Sequence, residues 1–286
     1  MKEPIEFLKR RELGDILTDT FKFIRNEFKP LFGLILKTAG LALLIMVAAY
    51  VFYLRSFGDL FGFTTNSDLT YISMGLSGLV MLISAVVFYA LLYGSILHYI
   101  KSYIKNNGVV NKDEVVEGIK QNFWSLIGLS ILVFLMSFVG FVFCFIPGIY
   151  LATVLATTYA VHIFENRSVS DSISYSFDLI KGEWWITFAT LLVMFIIYYI
   201  VIIIVQVPQS IYLFTKDFTV ADQFSGDQSM MVDWGYIILT SAGLIVQYLM
   251  QILLVITTVF VYFNLNEKKN FTGTLETIES IGTRKE

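Results

Sequence analysis

The sequence predicts an all-α protein, a polytopic transmembrane helical bundle with six spans. Hydrophobic residues make up 56% of the 286 residues and charged residues only 15%, whereas soluble domains carry about 25% charged residues. The apolar residues also fall into blocks of about twenty, the length that a helix needs to cross roughly 30 Å of hydrocarbon. Alternation with a period of two is absent from these blocks, which argues against a transmembrane β-barrel.

Six apolar segments alternate with polar connections, and we treat residues 1–286 as a single membrane domain. Residues 1–30 carry charges of both signs and lack the apolar core of a cleavable signal peptide. They predict a cytoplasmic interfacial helix, followed by a first span that is retained. Pro147 lacks an amide donor and Gly148 permits a turn, which predicts a tight hairpin between the third and fourth spans. Residues 264–286 are expected to form a cytoplasmic tail. The predicted spans cover about 31–54, 72–100, 123–145, 147–164, 184–207 and 235–263.

The distribution of basic residues predicts the orientation. With six spans, 17 of the 20 Lys and Arg residues fall on one side of the membrane, and only Arg55 and Lys216 fall on the other. Lys37 lies within the first span. Because connections rich in Lys and Arg stay in the cytoplasm, we expect both termini to be cytoplasmic, in a bacterial inner membrane. The net charge of −3 indicates no nucleic-acid partner.

Three similar stretches lead into long apolar segments: "FIRNEF", "GIKQNF" and "LIKGEW". Apolar residues before them recur at three- and four-residue steps, so each copy predicts an amphipathic interfacial helix, a bend and a transmembrane hairpin. Chance similarity among membrane-entry segments is the alternative. The basic residue can reach lipid phosphates, and the aromatic residue suits the head-group level. The predicted lipid-interface residues are Arg25, Phe28, Lys120, Phe123, Lys181, Trp184 and Trp185.

About 50 residues starting at "IPGIYLATVLATTYAVHIFENRSVSDSISYSFDLIKGEWW" carry a further pattern. A Pro-Gly pair opens a span that ends near a glutamate, an Asn-basic-Ser-Val turn follows, and a serine precedes Lys-Gly and an aromatic residue. This pattern resembles the membrane domain associated with glycerophosphoryl diester phosphodiesterases and related bacterial membrane proteins of unknown function. The resemblance implies a membrane module without hydrolase activity, because that chemistry belongs to a separate soluble barrel. The matching residues are Pro147, Gly148, Glu165, Asn166, Ser168, Val169, Ser176, Lys181, Gly182 and Trp184.

No sequence motif indicates catalysis or cofactor binding. Nucleotide-binding glycine loops, "HExxH" and Cys/His clusters are all missing from the sequence. His98 and His162 are expected to be hydrogen-bonded or solvated, since a zinc site needs three or four ligands. The single cysteine, Cys144, is expected to be a small buried hydrophobe. We therefore predict no catalytic residue, no metal and no cofactor.

Two further sets of residues inside the spans are candidates for helix packing or for a polar path. Gly148, Ala152, Ala156 and Ala160 recur every four residues along the fourth span; such a stripe lets a neighbouring helix approach closely, with a homodimer face as the alternative. Gln206, Gln247 and Gln251 either form interhelical hydrogen bonds or line a polar path.

These features predict a non-enzymatic integral inner-membrane protein, a structural or accessory module that contacts lipid head groups or a partner protein. The alternative is a small transporter or channel-like protein whose path passes the three glutamines. The expected partners are membrane lipids, with a partner protein or a second copy of the chain as further options.

Overall fold

The computed structural model describes residues 4–61, 67–221 and 233–275. The described part of the chain is 89% helical and forms eight helices and no strand. The predicted all-α fold class is therefore confirmed. The helices are α1 (Leu13–Phe61), α2 (Ser67–Lys105), α3 (Lys112–Phe143), α4 (Phe145–Leu155), α5 (Thr158–Glu165), α6 (Val169–Ile180), α7 (Trp184–Ala221) and α8 (Trp234–Asn270).

Within the described residues, six helical stretches are long and apolar enough to cross a membrane, and α4 and α5 together form the fourth of them. The number and order of the predicted spans are confirmed, and the protein is a multi-pass membrane protein. The fourth stretch is the most buried, with 61% of its most apolar window inside the protein against 22–44% for the others. The stretches are Leu13–Ser56, Tyr71–Lys105, Lys112–Phe143, Phe145–Glu165, Trp184–Thr215 and Trp234–Asn270.

The chain divides into two compact units. Unit 1 contains residues 1–38, 90–196 and 252–286, and unit 2 contains residues 39–89 and 197–251. All of α3, α4, α5 and α6 therefore belong to unit 1. The helices α1, α2, α7 and α8 each contribute one part to each unit.

The non-helical segment before α1 is built into the core of unit 1. Phe7 is only 2% exposed, and its ring stacks on that of Phe260 with centroids 4.7 Å apart. Arg11 is also buried; its Nε donates to Asp19 at 2.8 Å and its Nη1 to the carbonyl of Phe7 at 2.8 Å. Its backbone N–H donates to Oδ1 of Asn264 in α8 at 2.8 Å. These contacts anchor the N-terminal segment, which the sequence predicted only as part of an interfacial helix.

In unit 2, contacts between aromatic rings and a hydrogen bond from a tyrosine hydroxyl join the helices. Phe88 and Tyr89 of α2 meet Tyr248 of α8 edge-on, with ring centroids 5.1 and 5.8 Å apart. The hydroxyl of Tyr212 in α7 donates to Asp233, just before α8, at 2.6 Å. A tyrosine hydroxyl among apolar helices needs such an acceptor, because an unpaired buried polar group is costly.

The three predicted junctions differ in structure. The first and second lie inside unbroken helices, since α1 continues through Phe28 and α3 through Phe123. The prediction of a separate interfacial helix over residues 1–30 is therefore wrong: residues 4–12 are non-helical and α1 runs directly into the first span. The third junction is a true break, because α6 ends at Ile180 and α7 begins at Trp184.

Glycine explains why only the third copy breaks. Gly182 has φ +85°, a left-handed conformation that glycine adopts without steric cost. The first two copies carry Asn26 and Gln121 at the same place. Interrupting a helix there would leave backbone N–H and C=O groups without partners, so continuing the helix is favoured.

The hairpin between the third and fourth spans turns at Cys144. This residue has extended backbone (φ −168°, ψ 139°) between α3 and α4, and Pro147 lies in the first turn of α4. The prediction that the chain turns at Pro147 and Gly148 is wrong by about one helical turn. A continuous helix would need the missing N–H of Pro147 to bond the carbonyl of Phe143, four residues earlier. The proline therefore ends α3 at Phe143. It is tolerated in the first turn of α4, because backbone N–H groups there have no partner within the helix. Cys144 is exposed at this turn, which corrects the expectation that it is buried.

The stripe of small residues spans two helices. Gly148 packs against α3 so closely that an added Cβ would lie 2.9 Å from the Cα of Phe141. Gly148 and Ala160 are buried, whereas Ala152 and Ala156 are half-buried. The chain leaves regular helical geometry after Leu155, so Ala160 belongs to α5 and not to the helix of Gly148.

Candidate functional site

The basic residues of the three junctions are all accessible. Arg25, Lys120 and Lys181 are exposed, and none forms a salt bridge with a carboxylate among the described residues. Some other cations of unit 1 are paired, for example Lys105 with Glu114 at 2.5 Å and Lys268 with Glu183 at 2.7 Å. Others, such as the exposed Lys22 and Lys112, form no salt bridge among the described residues, so the position at a junction and not the lack of a partner distinguishes the three. An exposed cation without a carboxylate partner can donate to a phosphate oxygen without first breaking an ion pair.

The aromatic residues beside these cations differ from one another in solvent exposure. Phe28 is 54% exposed and Trp185 is 75% exposed, which suits contact with lipid. Phe123 is half-buried. Trp184 is half-buried as well, and it stacks on Phe188 at 5.2 Å between ring centroids.

Trp184 is therefore part of the packing at the third junction and not only an interface anchor. Its ring also stacks on that of Tyr150 in α4, with centroids 5.7 Å apart. Its Nε1 is buried and has no hydrogen-bond partner among the described residues. The two adjacent tryptophans thus have different surroundings, which the sequence alone did not distinguish.

The three glutamines lie in unit 2. The side chain of Gln247 in α8 lies near the hydroxyl of Tyr198 in α7. Gln247 and Gln251 are half-buried, and Gln206 is exposed. Interhelical hydrogen bonding and a polar path both stay predictions for these three glutamines.

Both histidines are buried in unit 1 and are hydrogen-bonded. His98 of α2 is 7% exposed, and its Nε2 lies 3.4 Å from Nδ2 of Asn122 in α3. His162 of α5 is 6% exposed; its Nε2 lies 2.8 Å from Oγ of Ser125, and its Nδ1 lies 2.7 Å from the carbonyl of Arg167. These bonds join α2, α3 and α5 through neutral polar groups.

Ser125 and His162 have the relative geometry of a nucleophile and a base. The carbonyl of Arg167 accepts from Nδ1–H of His162, which leaves Nε2 as the acceptor facing the serine hydroxyl. The same hydroxyl also lies 2.8 Å from the carbonyl of Asn122, an ordinary helix contact. A pair of this kind becomes an acyl-transfer site only with an oxyanion hole and access for a substrate. The sequence did not single out this serine, because the two residues are 37 positions apart.

A cavity of about 760 Å³ opens in unit 1 where α2, α5 and α8 end. Its basic residues are Lys101, Lys105 and Arg167. Glu165 accepts from Nε of Arg167 at 2.6 Å, and this hydrogen bond raises the pKa of Arg167 above its ordinary value. The guanidinium of Arg167 also lies over the ring of Tyr175 at 3.9 Å. The remaining lining residues are Leu8, Ile104, Phe164, Tyr262, Phe263, Asn266, Asn270 and Thr272.

No sequence pattern predicts this cavity. Its residues come from four separated parts of the chain, and most of them are ordinary helix-end residues when they are considered singly. Glu165 and Asn166 stand out in the sequence only through the family resemblance. In the structure, Asn166 adopts a left-handed conformation at the end of α5 (φ 51°), and its side chain accepts from Nζ of Lys101 at 2.9 Å.

Across the described residues, no group of three or more His, Cys, Asp or Glu side chains is arranged to hold a metal ion. Comparison with known proteins adds no further assignment: no protein-family model, curated protein or solved structure matches this chain significantly.

Proposed function

We propose that this protein is a non-enzymatic accessory module of the bacterial inner membrane, with cytoplasmic termini, that binds anionic lipid head groups at its three helix junctions. The observation that carries the proposal is the set of exposed cations without carboxylate partners, Arg25, Lys120 and Lys181. Each stands three residues before an aromatic residue at the start of a long apolar segment.

The attractions of the three basic residues to an anionic membrane add to one another. A basic residue near an anionic membrane surface contributes about 1 kcal/mol of attraction. Three such residues on one protein contribute about 3 kcal/mol, or roughly a hundredfold preference for anionic over neutral lipid. The exposed rings of Phe28 and Trp185 position the junctions at the interface, where aromatic side chains are favoured.

The test compares lipid retention by the protein and by a triple variant. The full chain is purified from nanodiscs containing phosphatidylcholine and phosphatidylglycerol, and co-purifying lipids are counted by native mass spectrometry. Arg25→Gln, Lys120→Gln and Lys181→Gln together should abolish the excess of phosphatidylglycerol. Lys22→Gln with Lys112→Gln is the control, because both lysines are exposed and neither is at a junction. Its matched comparison is Lys120→Gln with Lys181→Gln, which removes the same number of charges.

Equal phosphatidylglycerol retention by the triple variant and the control would refute the proposal. The non-enzymatic part is tested separately: release of product from lipid or phosphodiester substrates by the purified protein would refute it.

A further inference from the structure

We infer that the cavity at the ends of α2, α5 and α8 is a binding site for a phosphate ester with an apolar substituent. This site lies apart from the three junctions, and it stands whether or not the junctions bind lipid. The inference rests on unused hydrogen-bond donors, on a lysine whose contacts are not to a carboxylate and on the composition of the walls.

Lys101 provides the first donor. Its Nζ donates to the carbonyl of Ile163 at 2.6 Å and to Oδ1 of Asn166 at 2.9 Å. An ammonium group has three N–H donors, so one remains without an acceptor among the described residues. No described carboxylate lies within salt-bridge distance of this half-buried cation. Its two neutral contacts hold the ammonium in place at the wall of the cavity.

Arg167 provides the other donors. Its Nε is bound to one oxygen of Glu165, whose second oxygen accepts from the hydroxyl of Tyr262 at 3.2 Å. The ring of Tyr175 supports the plane of the guanidinium. Neither Nη atom of Arg167 has a hydrogen-bond acceptor among the described residues. A fixed guanidinium with two free Nη groups suits the oxygens of a phosphate, which it can bind in a bidentate manner.

The cations at the cavity differ in how they are compensated. Lys101, Lys105 and Arg167 line the cavity and Lys269 lies beside it, with Nζ 5.4 Å from the ring centre of Tyr175. Four carboxylates lie near them: Glu114 pairs with Lys105, Glu165 pairs with Arg167, Asp171 acts on Arg167 from a longer distance, and Glu267 accepts from the lining Thr272. The contacts of Lys101 are instead to a carbonyl and an amide oxygen. Lys101 and the free Nη groups of Arg167 are therefore the groups that an anion would contact.

The side chains that line the cavity indicate the chemistry of the ligand beyond its phosphate group. Leu8, Ile104, Phe164 and Phe263 give the cavity apolar sides, and the amides of Asn266 and Asn270 add polar groups at its edge. A bare inorganic anion would leave the apolar sides unused. The same chemistry is offered by a phospholipid head group with its acyl chains and by a soluble phosphate ester with an apolar group.

The test uses the purified full chain and two conservative variants. Arg167→Lys keeps the charge and the pairing with Glu165 but removes the free Nη groups, and Lys101→Gln removes the uncompensated charge. Lys112→Gln is the control, since Lys112 is exposed at the start of α3 and does not line the cavity. Monodisperse elution in size-exclusion chromatography checks that each variant is folded.

Binding of inorganic phosphate and of hexyl phosphate is measured by calorimetry in maltoside detergent, and binding of phosphatidylglycerol by titration with mixed micelles of the same detergent. We expect hexyl phosphate to bind more tightly than inorganic phosphate. Both cavity variants should lose at least about tenfold in affinity, and Lys112→Gln and the junction triple variant should lose none. Competition of phosphatidylglycerol with hexyl phosphate identifies a lipid ligand, and its failure to compete identifies a soluble ester. No saturable binding of either probe, or equal affinity in the cavity variants and the control, would overturn the inference.

Discussion

Gly118 of α3 lies against the ring of His98 of α2, and enlarging it tests how tightly these helices pack in unit 1. A Cβ at Gly118 would lie 2.4 Å from Nδ1 of His98, whereas ordinary contacts begin at 3.4 Å. The ring would have to move by about 1 Å, the difference between these distances. It cannot do so freely, because His98 is buried and bound to Asn122.

Two opposing effects determine how Gly118→Ala changes the free energy of unfolding. Replacing a helical glycine by alanine stabilises a helix by about 1 kcal/mol, whereas overpacking a well-packed site costs about 1–3 kcal/mol. Gly128 of α3 is the matched control, because nothing lies within 4 Å of a Cβ added there. We therefore expect Gly118→Ala to be less stable than Gly128→Ala by about 1–3 kcal/mol.

The assay is reversible unfolding in mixed micelles with rising SDS content, followed by tryptophan fluorescence. In a His98→Ala background the obstructing ring is gone, so Gly118→Ala should behave like Gly128→Ala. The double-mutant cycle between positions 98 and 118 should then give a coupling of about 1–3 kcal/mol. A coupling below about 0.5 kcal/mol, within the additivity seen for independent sites, would show that the close packing of His98 on Gly118 is incorrect.

Three further outcomes are expected. Reporter fusions at Asp68, at Gly226, which lies outside the described residues, and at the C-terminus should report outside, outside and inside; any other pattern contradicts six spans with cytoplasmic termini. Gly148→Ala should destabilise the protein by about 1–3 kcal/mol in the SDS assay, because the Cβ would meet the backbone of Phe141; stability equal to that of the wild type would contradict the tight α3–α4 hairpin. A fluorophosphonate probe should not label Ser125, because we propose no enzymatic activity; labelling that disappears in Ser125→Ala would contradict this.

The third junction shows which helix boundaries a local sequence pattern predicts and which it does not. The repeat "LIKGEW" located the start of α7 correctly, since Trp184 is the first residue of that helix. The same pattern failed to distinguish a break at Gly182 from continuous helix at Asn26 and Gln121, although glycine was the signal that could have done so. At the hairpin, Pro147 was recognised as a helix breaker, but the hydrogen bond that it removes belongs to Phe143, which is why the chain turns earlier.

What the sequence determined by itself is the class of the protein and the order of its spans. Long apolar segments need no tertiary information, because each must satisfy its own backbone hydrogen bonds in a membrane, and only a helix does so within one segment. The tertiary structure decided which side chains meet. Ser125 faces His162, the N-terminal segment with Phe7 enters the core, and Lys101 lies in one cavity with Arg167. Such contacts join residues distant along the chain, and their geometry depends on how helices pack, which hydropathy and spacing do not encode.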